Sequence, residues 1–253
     1  MNIHDIRETD KLGLEMFNLN KENKFDNAID KLVVDLQKQI NDLDRGFRGI
    51  NELMEDDPIR YSELVEEAER YEISIDHQQY ETILDMQYYQ EELQSIVEMK
   101  IINAFKTVEI DIKILVGAAF QNSNQKRLYK WESILSFFKS KNIDVTNFKS
   151  YDCVNQIRQV NNAIKHSGDY EKSLTSIIEF SSDKKPLSDR LLDFYDRVKK
   201  MPEVFIDELS TAIYNELYEF NDEKIDDIAQ SFVLRMNKGD AEKLTSKILS
   251  FYN

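Results

Sequence analysis

From Phe25 onward the apolar residues fall in a helical rhythm. Phe25, Ile29, Leu32, Leu36, Ile40, Leu43, Phe47, Ile50 and Met54 follow one another in steps of three and four, which places them on one stripe of an amphipathic helix. Such a stripe makes a core contact, or else a coiled-coil-like seam for a partner. Gly46 and Gly49 interrupt it and mark either a bend or a close helix approach, since glycine weakens a helix interior by about 1 kcal/mol relative to alanine. Asp56-Asp57-Pro58 reads as a stop and restart, because proline suits a first helical turn and acidic groups favour the positive end of a helix. A second helix is expected from Pro58 to about Tyr71. A third, from about Gln78 to Phe120, carries Leu93, Ile96, Ile101, Phe105, Val108, Ile112 and Leu115 at mainly helical spacings. Its length of about 60 Å exceeds what one compact core needs, so a kink, with Gly117 as a weak candidate, or an extended dimer surface is expected. Tyr88 and Tyr89 read as packing residues at the core or its rim.

Beyond Gln125 the pattern continues. Leu128, Trp131, Ile134, Leu135 and Phe138 give one apolar face to a helix ending near Lys139, with Trp131 as a core anchor. SKNIDVTNFKSYD is a connection with some capping chemistry, and a helix from about Tyr151 to Ser167 closes at Gly168. EKSLTSIIEF fits a short helix or a strand, and SSDKKP a loop. PLSDRLLDFYDRVKKM and PEVFIDELSTAIYNELYEF are helical runs divided near Pro202. The remainder, with Ile225, Ile228, Phe232, Val233 and Met236 and then AEKLTSKILSFY, predicts one or two amphipathic helices around Lys238-Gly239-Asp240. The expected fold is all-α, a single helical domain with accessory helices at one or both ends.

Composition agrees with a globular helical chain. Its 253 residues are 41% hydrophobic and 32% charged, with only six glycines and three prolines to interrupt helices. No apolar run approaches the length of a membrane span. The opening MNIHDIRETDKLGLEMF has neither the cationic start nor the apolar run of a secretion signal. Cys153 stands alone, which rules out an intramolecular disulfide and a multi-cysteine zinc site; it reads as a small packed group rather than a nucleophile. A cytoplasmic protein with no membrane contact is expected. The formal charge is -15, which taken whole repels nucleic acid. The stretch from Lys126 to His166 departs from that average, with eight Lys or Arg against three Asp or Glu.

At the end of this least acidic stretch lies NQIRQVNNAIKHSG, residues 155 to 168. Arg158, Asn162 and His166 follow at four-residue steps and so share a helix face. Arginine offers a fork of donors suited to phosphate. Asn162 can hold a hydroxyl, a water or the histidine ring, and His166 can withdraw or deliver a proton near neutral pH. Together these suit cleavage of RNA, in which a histidine activates the ribose 2'-hydroxyl and arginine stabilises charge on the phosphate oxygens. One histidine cannot both take a proton and supply another at once, so a second group is needed, and a homodimer supplies it most simply. The alternative is an ordinary solvated polar face with His166 at the helix end. His4 and His77 add little; His77 with Asp76 is a weak metal candidate, with no HExxH or second histidine at helical spacing. ELVEEAER, residues 63 to 70, is a solvated acidic face or a dock for a basic partner. No glycine-rich phosphate loop or dinucleotide fingerprint occurs, so no cofactor is expected.

The segment from Trp131 to His166, with YDCVNQIRQVNNAIKHSG followed by PEVFIDEL, resembles the HEPN superfamily of helical-bundle proteins found in bacterial toxin-antitoxin, abortive-infection and other antiviral systems. The resemblance covers about Gln78 to Leu209, and its specific part is Arg158 to Gly168. It implies an elongated helical bundle divided into accessory helices over 1–76, a HEPN-like core over 77–209 and a helical extension over 210–253. It also implies a metal-independent endoribonuclease acting as a homodimer. His166 takes the histidine role, Asn162 the polar position, and Arg158 the arginine role from a displaced place. Asn161 holds the usual arginine position, five residues before the histidine. Lys165 and Asn161 are the accompanying candidates for RNA contact. Noncatalytic relatives that serve as interaction or scaffolding modules supply the alternative, with a regulatory protein partner.

Overall fold

The computed structural model describes residues 3–17, 24–120, 128–166, 170–182 and 184–252. Among them the regular structure is helical throughout, without a strand. In order the α-helices are α1 (Ile3–Glu15), α2 (Lys24–Asp56), α3 (Pro58–Arg70), α4 (Ile75–Ala119), α5 (Trp131–Lys139), α6 (Tyr151–His166), α7 (Tyr170–Ser173), α8 (Leu187–Val198), α9 (Met201–Tyr218), α10 (Asp222–Val233) and α11 (Lys238–Leu249). The all-α expectation holds.

Local chemistry explains several boundaries. Pro58 opens α3, and the Asp57 side chain accepts a hydrogen bond from the Arg60 backbone N–H at 3.1 Å, so the stop and restart at Asp56-Asp57-Pro58 is realised as a capped helix start. α2 runs through Gly46 and Gly49. A Cβ at either glycine would meet nothing within 4 Å, so neither marks a close helix approach. α4 passes through Gly117 without ending there. EKSLTSIIEF forms the short α7 and then a single 3-10 turn at Ile178–Phe180, with Leu174, Ile177 and Phe180 buried. Their three-residue spacing suits one side of tight helical turns. Gln125 and the closing Ser167 and Gly168 lie outside the described residues, and α5 is described from Trp131.

The chain divides into two compact units, each discontinuous in sequence: Met1–Lys21 with Thr107–Asp152 and Met201–Asn253, and Glu22–Lys106 with Cys153–Lys200. In the first unit α1 packs on α9. The Ser210 hydroxyl donates to the Leu14 carbonyl at 2.6 Å, and Lys11 Nζ sits 5.4 Å from the Tyr214 ring centroid. Trp131 is the core anchor expected of it, stacked on Tyr151 with centroids 6.3 Å apart and tilted against Phe205 at 6.2 Å. Ile134, Phe138, Val145, Ile206, Leu209 and Ile213 are buried in the same unit, as are Val108, Ile112, Leu115 and Val116 of α4.

In the second unit the core is built from Leu93, Val97 and Ile101 of α4, Val154, Ile157 and Val160 of α6, and Leu191, Phe194 and Val198 of α8. The stripe on α2 takes a slightly different register. Val33 is 5% exposed whereas Leu32 is 48% exposed, because Ile29, Val33 and Leu36 keep one helical row and Leu32 falls about a quarter turn away. Polar groups are also buried here. Tyr195 donates its phenolic hydrogen to Asp26, and Lys100 bonds Asp30, stands 3.7 Å from Asp26 and lies over the Tyr195 ring. Tyr170 donates to Glu98 at 2.6 Å; burial and that carboxylate push its phenol well above the usual range.

Candidate functional site on α6

α6 carries the residues singled out by the sequence. At its start, the Glu208 carboxylate of α9 accepts the backbone N–H of Lys149 at 3.0 Å and of Ser150 at 3.2 Å, together with the Ser150 hydroxyl. Negative charge there complements the helix dipole, as Lys165 does in the last turn. Val154, Ile157, Val160, Asn161 and Ala163 form its buried face. Asn162, Lys165 and His166 are exposed, and Arg158 is half-buried. Burial of the apolar row therefore turns Arg158, Asn162 and His166 to the other side, and two of these three meet solvent.

Arg158 is held by its neighbour. Its Nε donates to the Asn155 side-chain oxygen at 3.0 Å, which leaves the terminal guanidinium nitrogens as donors. The one signal for Asn155 in the sequence is its i,i+3 spacing from Arg158. Asn161 behaves differently from the other candidates. It is 2% exposed, its Nδ2 makes a long 3.4 Å bond to Asn162 Oδ1, and its own Oδ1 is buried without a hydrogen-bond partner. Its contact to a ligand would pass through Asn162, whose amide nitrogen is left to donate outward.

Several basic side chains in and around α8 are held in ion pairs. Arg197 is clamped by Glu179 through contacts of 2.6 and 2.9 Å, Lys185 is 2.7 Å from Asp193, and Lys199 is 2.8 Å from Asp196. In each pair the hydrogen bond to the carboxylate holds the cation above its ordinary pKa. Arg158, Lys165 and His166 have no carboxylate partner among the described residues. Acidic residues outnumber basic ones by 48 to 33, and within that acidic chain these three cationic or protonatable side chains share one face of α6.

The remaining candidates are quiet. His77 Nε2 lies 3.2 Å from Glu81 in an exposed i,i+4 pair. Among the described residues no group of three or more His, Cys, Asp or Glu side chains is placed to hold a metal ion. Cys153 is free and half-buried. No helix among them is long and apolar enough to cross a membrane. No family model matches the chain, and neither any curated protein nor any solved structure does so.

Proposed function

We propose that this chain is a HEPN-like, metal-independent endoribonuclease that cleaves RNA by 2'-hydroxyl attack and works as a homodimer. The observation that carries the reading is the unpaired basic face of α6, where Arg158, Lys165 and His166 lack carboxylate partners among the described residues. Phosphate is the ligand such a face suits, because arginine donates to it in a fork and lysine adds a point charge.

The roles follow from the side chains. His166 accepts the 2'-hydroxyl proton, and the oxygen attacks the adjacent phosphorus. Arg158, with its Nε fixed by Asn155, directs its terminal nitrogens to the phosphate oxygens as negative charge gathers there. Asn162 donates its amide nitrogen to the same group, and Lys165 holds a flanking phosphate. The bond from phosphorus to the 5'-oxygen breaks, and that oxygen takes a proton from the second subunit's copy of the same histidine. The products are a 2',3'-cyclic phosphate and a 5'-hydroxyl. Use in antiviral defence or in a toxin-antitoxin pair is what the HEPN resemblance adds.

Mapping of product ends tests the chemistry. Labelled RNA incubated with the protein in EDTA should yield 2',3'-cyclic phosphate ends; 3'-hydroxyl ends would contradict 2'-hydroxyl attack. A second reading, a noncatalytic interaction or scaffolding module with a regulatory protein partner, draws support from the half-buried Arg158 and its bond to Asn155. It predicts RNA left intact and complexes unaffected by His166→Ala.

A further inference from the structure

α10 and α11 are amphipathic helices without a single buried residue. Ile225, Ile228, Phe232 and Val233 of α10 are all exposed, with Ile228 at 40% and Phe232 at 44%. An apolar row left uncovered on a helix of otherwise suitable pattern marks a surface made for contact. Beside it lies an open groove of about 990 Å³, lined by α9, α10 and residues from 142 to 148.

The groove is lined by apolar and acidic side chains together. Ile143, Phe148, Ala212, Ile228 and Phe232 supply the apolar part, and Asp144, Glu216, Glu219, Glu223 and Asp227 the carboxylates. Lys224 is the basic side chain among the lining residues, and its charge is already engaged. Its Nζ bonds the Glu216 carbonyl, lies 3.7 Å from the Glu216 carboxylate and sits 5.1 Å from the Phe220 ring centroid. Asp144 is tied to Thr146 through its hydroxyl and backbone N–H, which hold the carboxyl below its usual range and keep it ionised.

We propose that this groove docks a basic amphipathic helix of a protein partner, apolar side against Ile228 and Phe232, lysines or arginines against Glu219, Glu223 and Asp227. Charge complementarity selects the occupant. Nucleic acid and anionic lipid are repelled by the carboxylates, and a second copy of this chain brings a further formal charge of -15. Helix-in-groove docking of this kind reads apolar anchors at successive turns, while the charges set partner choice and association rate.

The probe is a labelled synthetic helix of about 18 residues, five turns, with leucines on one face and lysines on the other; a matched peptide carries glutamates instead. By fluorescence anisotropy the full chain should bind the lysine peptide and not the glutamate peptide, more weakly as salt rises, with slowed hydrogen exchange over residues 212–232. The pair Glu219→Lys and Asp227→Lys should weaken binding by about tenfold or more, and Phe232→Ala should weaken it as well. Glu66→Lys with Glu67→Lys changes charge equally on exposed α3 positions and should leave affinity within about twofold. Four outcomes overturn the assignment. They are no binding of the lysine peptide, equal losses from both charge-reversal pairs, unchanged binding by Phe232→Ala, or concentration-dependent protection of α10 without peptide, which would give the groove to a second copy.

Discussion

Arg158 donates its Nε–H to Asn155 Oδ1 at 3.0 Å, one turn back along α6. The bond fixes one edge of the guanidinium and leaves the two terminal nitrogens for a ligand, with no carboxylate partner to them among the described residues. If the arginine acts on phosphate, the asparagine positions it. Asn155→Ala should cost about 1 kcal/mol of stability or less while lowering RNA affinity several-fold, measured by filter binding at fixed salt. Arg158→Lys should not restore the loss caused by Arg158→Ala, because a single ammonium cannot reproduce the fork.

Stability of the second unit depends on a buried polar cluster. Tyr195 is 1% exposed and its hydroxyl meets Asp26, beside Lys100. Tyr195→Phe keeps the ring and removes the donor, so it should destabilise by about 1 to 3 kcal/mol. Lys100→Ala should cost more, about 3 to 5 kcal/mol, because it strips a cation from a buried carboxylate. Urea unfolding curves measure both, and equal midpoints for Tyr195→Phe and wild type would show that the hydroxyl contributes nothing.

Gly46 and Gly49 offer the opposite effect. Both are exposed within α2, with open space where a Cβ would stand. Alanine at each should stabilise the protein by about 1 kcal/mol through helix propensity, seen as a higher thermal midpoint; a decrease would mean that the glycines serve a contact in the assembled protein.

Asp189 gives a pH-dependent prediction. Burial, and then repulsion from Asp193, push its carboxyl above the usual range. The folded state therefore holds this proton more tightly than the unfolded state, and Asp189 disfavours folding once pH rises past the folded-state pKa. Asp189→Asn removes the penalty. Its thermal midpoint should exceed that of wild type at pH 7, and the gain should vanish near pH 3, where the carboxyl is protonated in both states.

The helices were legible because their signals are local. Three-and-four spacing, the Asp57 cap and Pro58 identify α2 and α3 without reference to any distant residue. Which parts of the chain join one compact unit was not legible, since that depends on contacts such as Tyr195 with Asp26, 169 residues apart. On α6 the four-residue steps correctly grouped Arg158, Asn162 and His166 on one side. They did not show that Asn161, one residue from Asn162, is held in the core, because an asparagine carries no apolar mark of burial. Nor did they show that Arg158 bonds Asn155 rather than a carboxylate among the described residues, a property of the folded surroundings.

The role of the α6 face is tested most directly by single-turnover cleavage of labelled RNA in EDTA, wild type against His166→Ala, with the two proteins matched for thermal midpoint and dimer content. His166 is exposed at the helix end, so the substitution should leave folding intact. Loss of general acid–base catalysis should slow cleavage by about 100-fold or more. Equal cleavage by both proteins would contradict the assignment of His166, and RNA left intact by both would favour the noncatalytic interaction module.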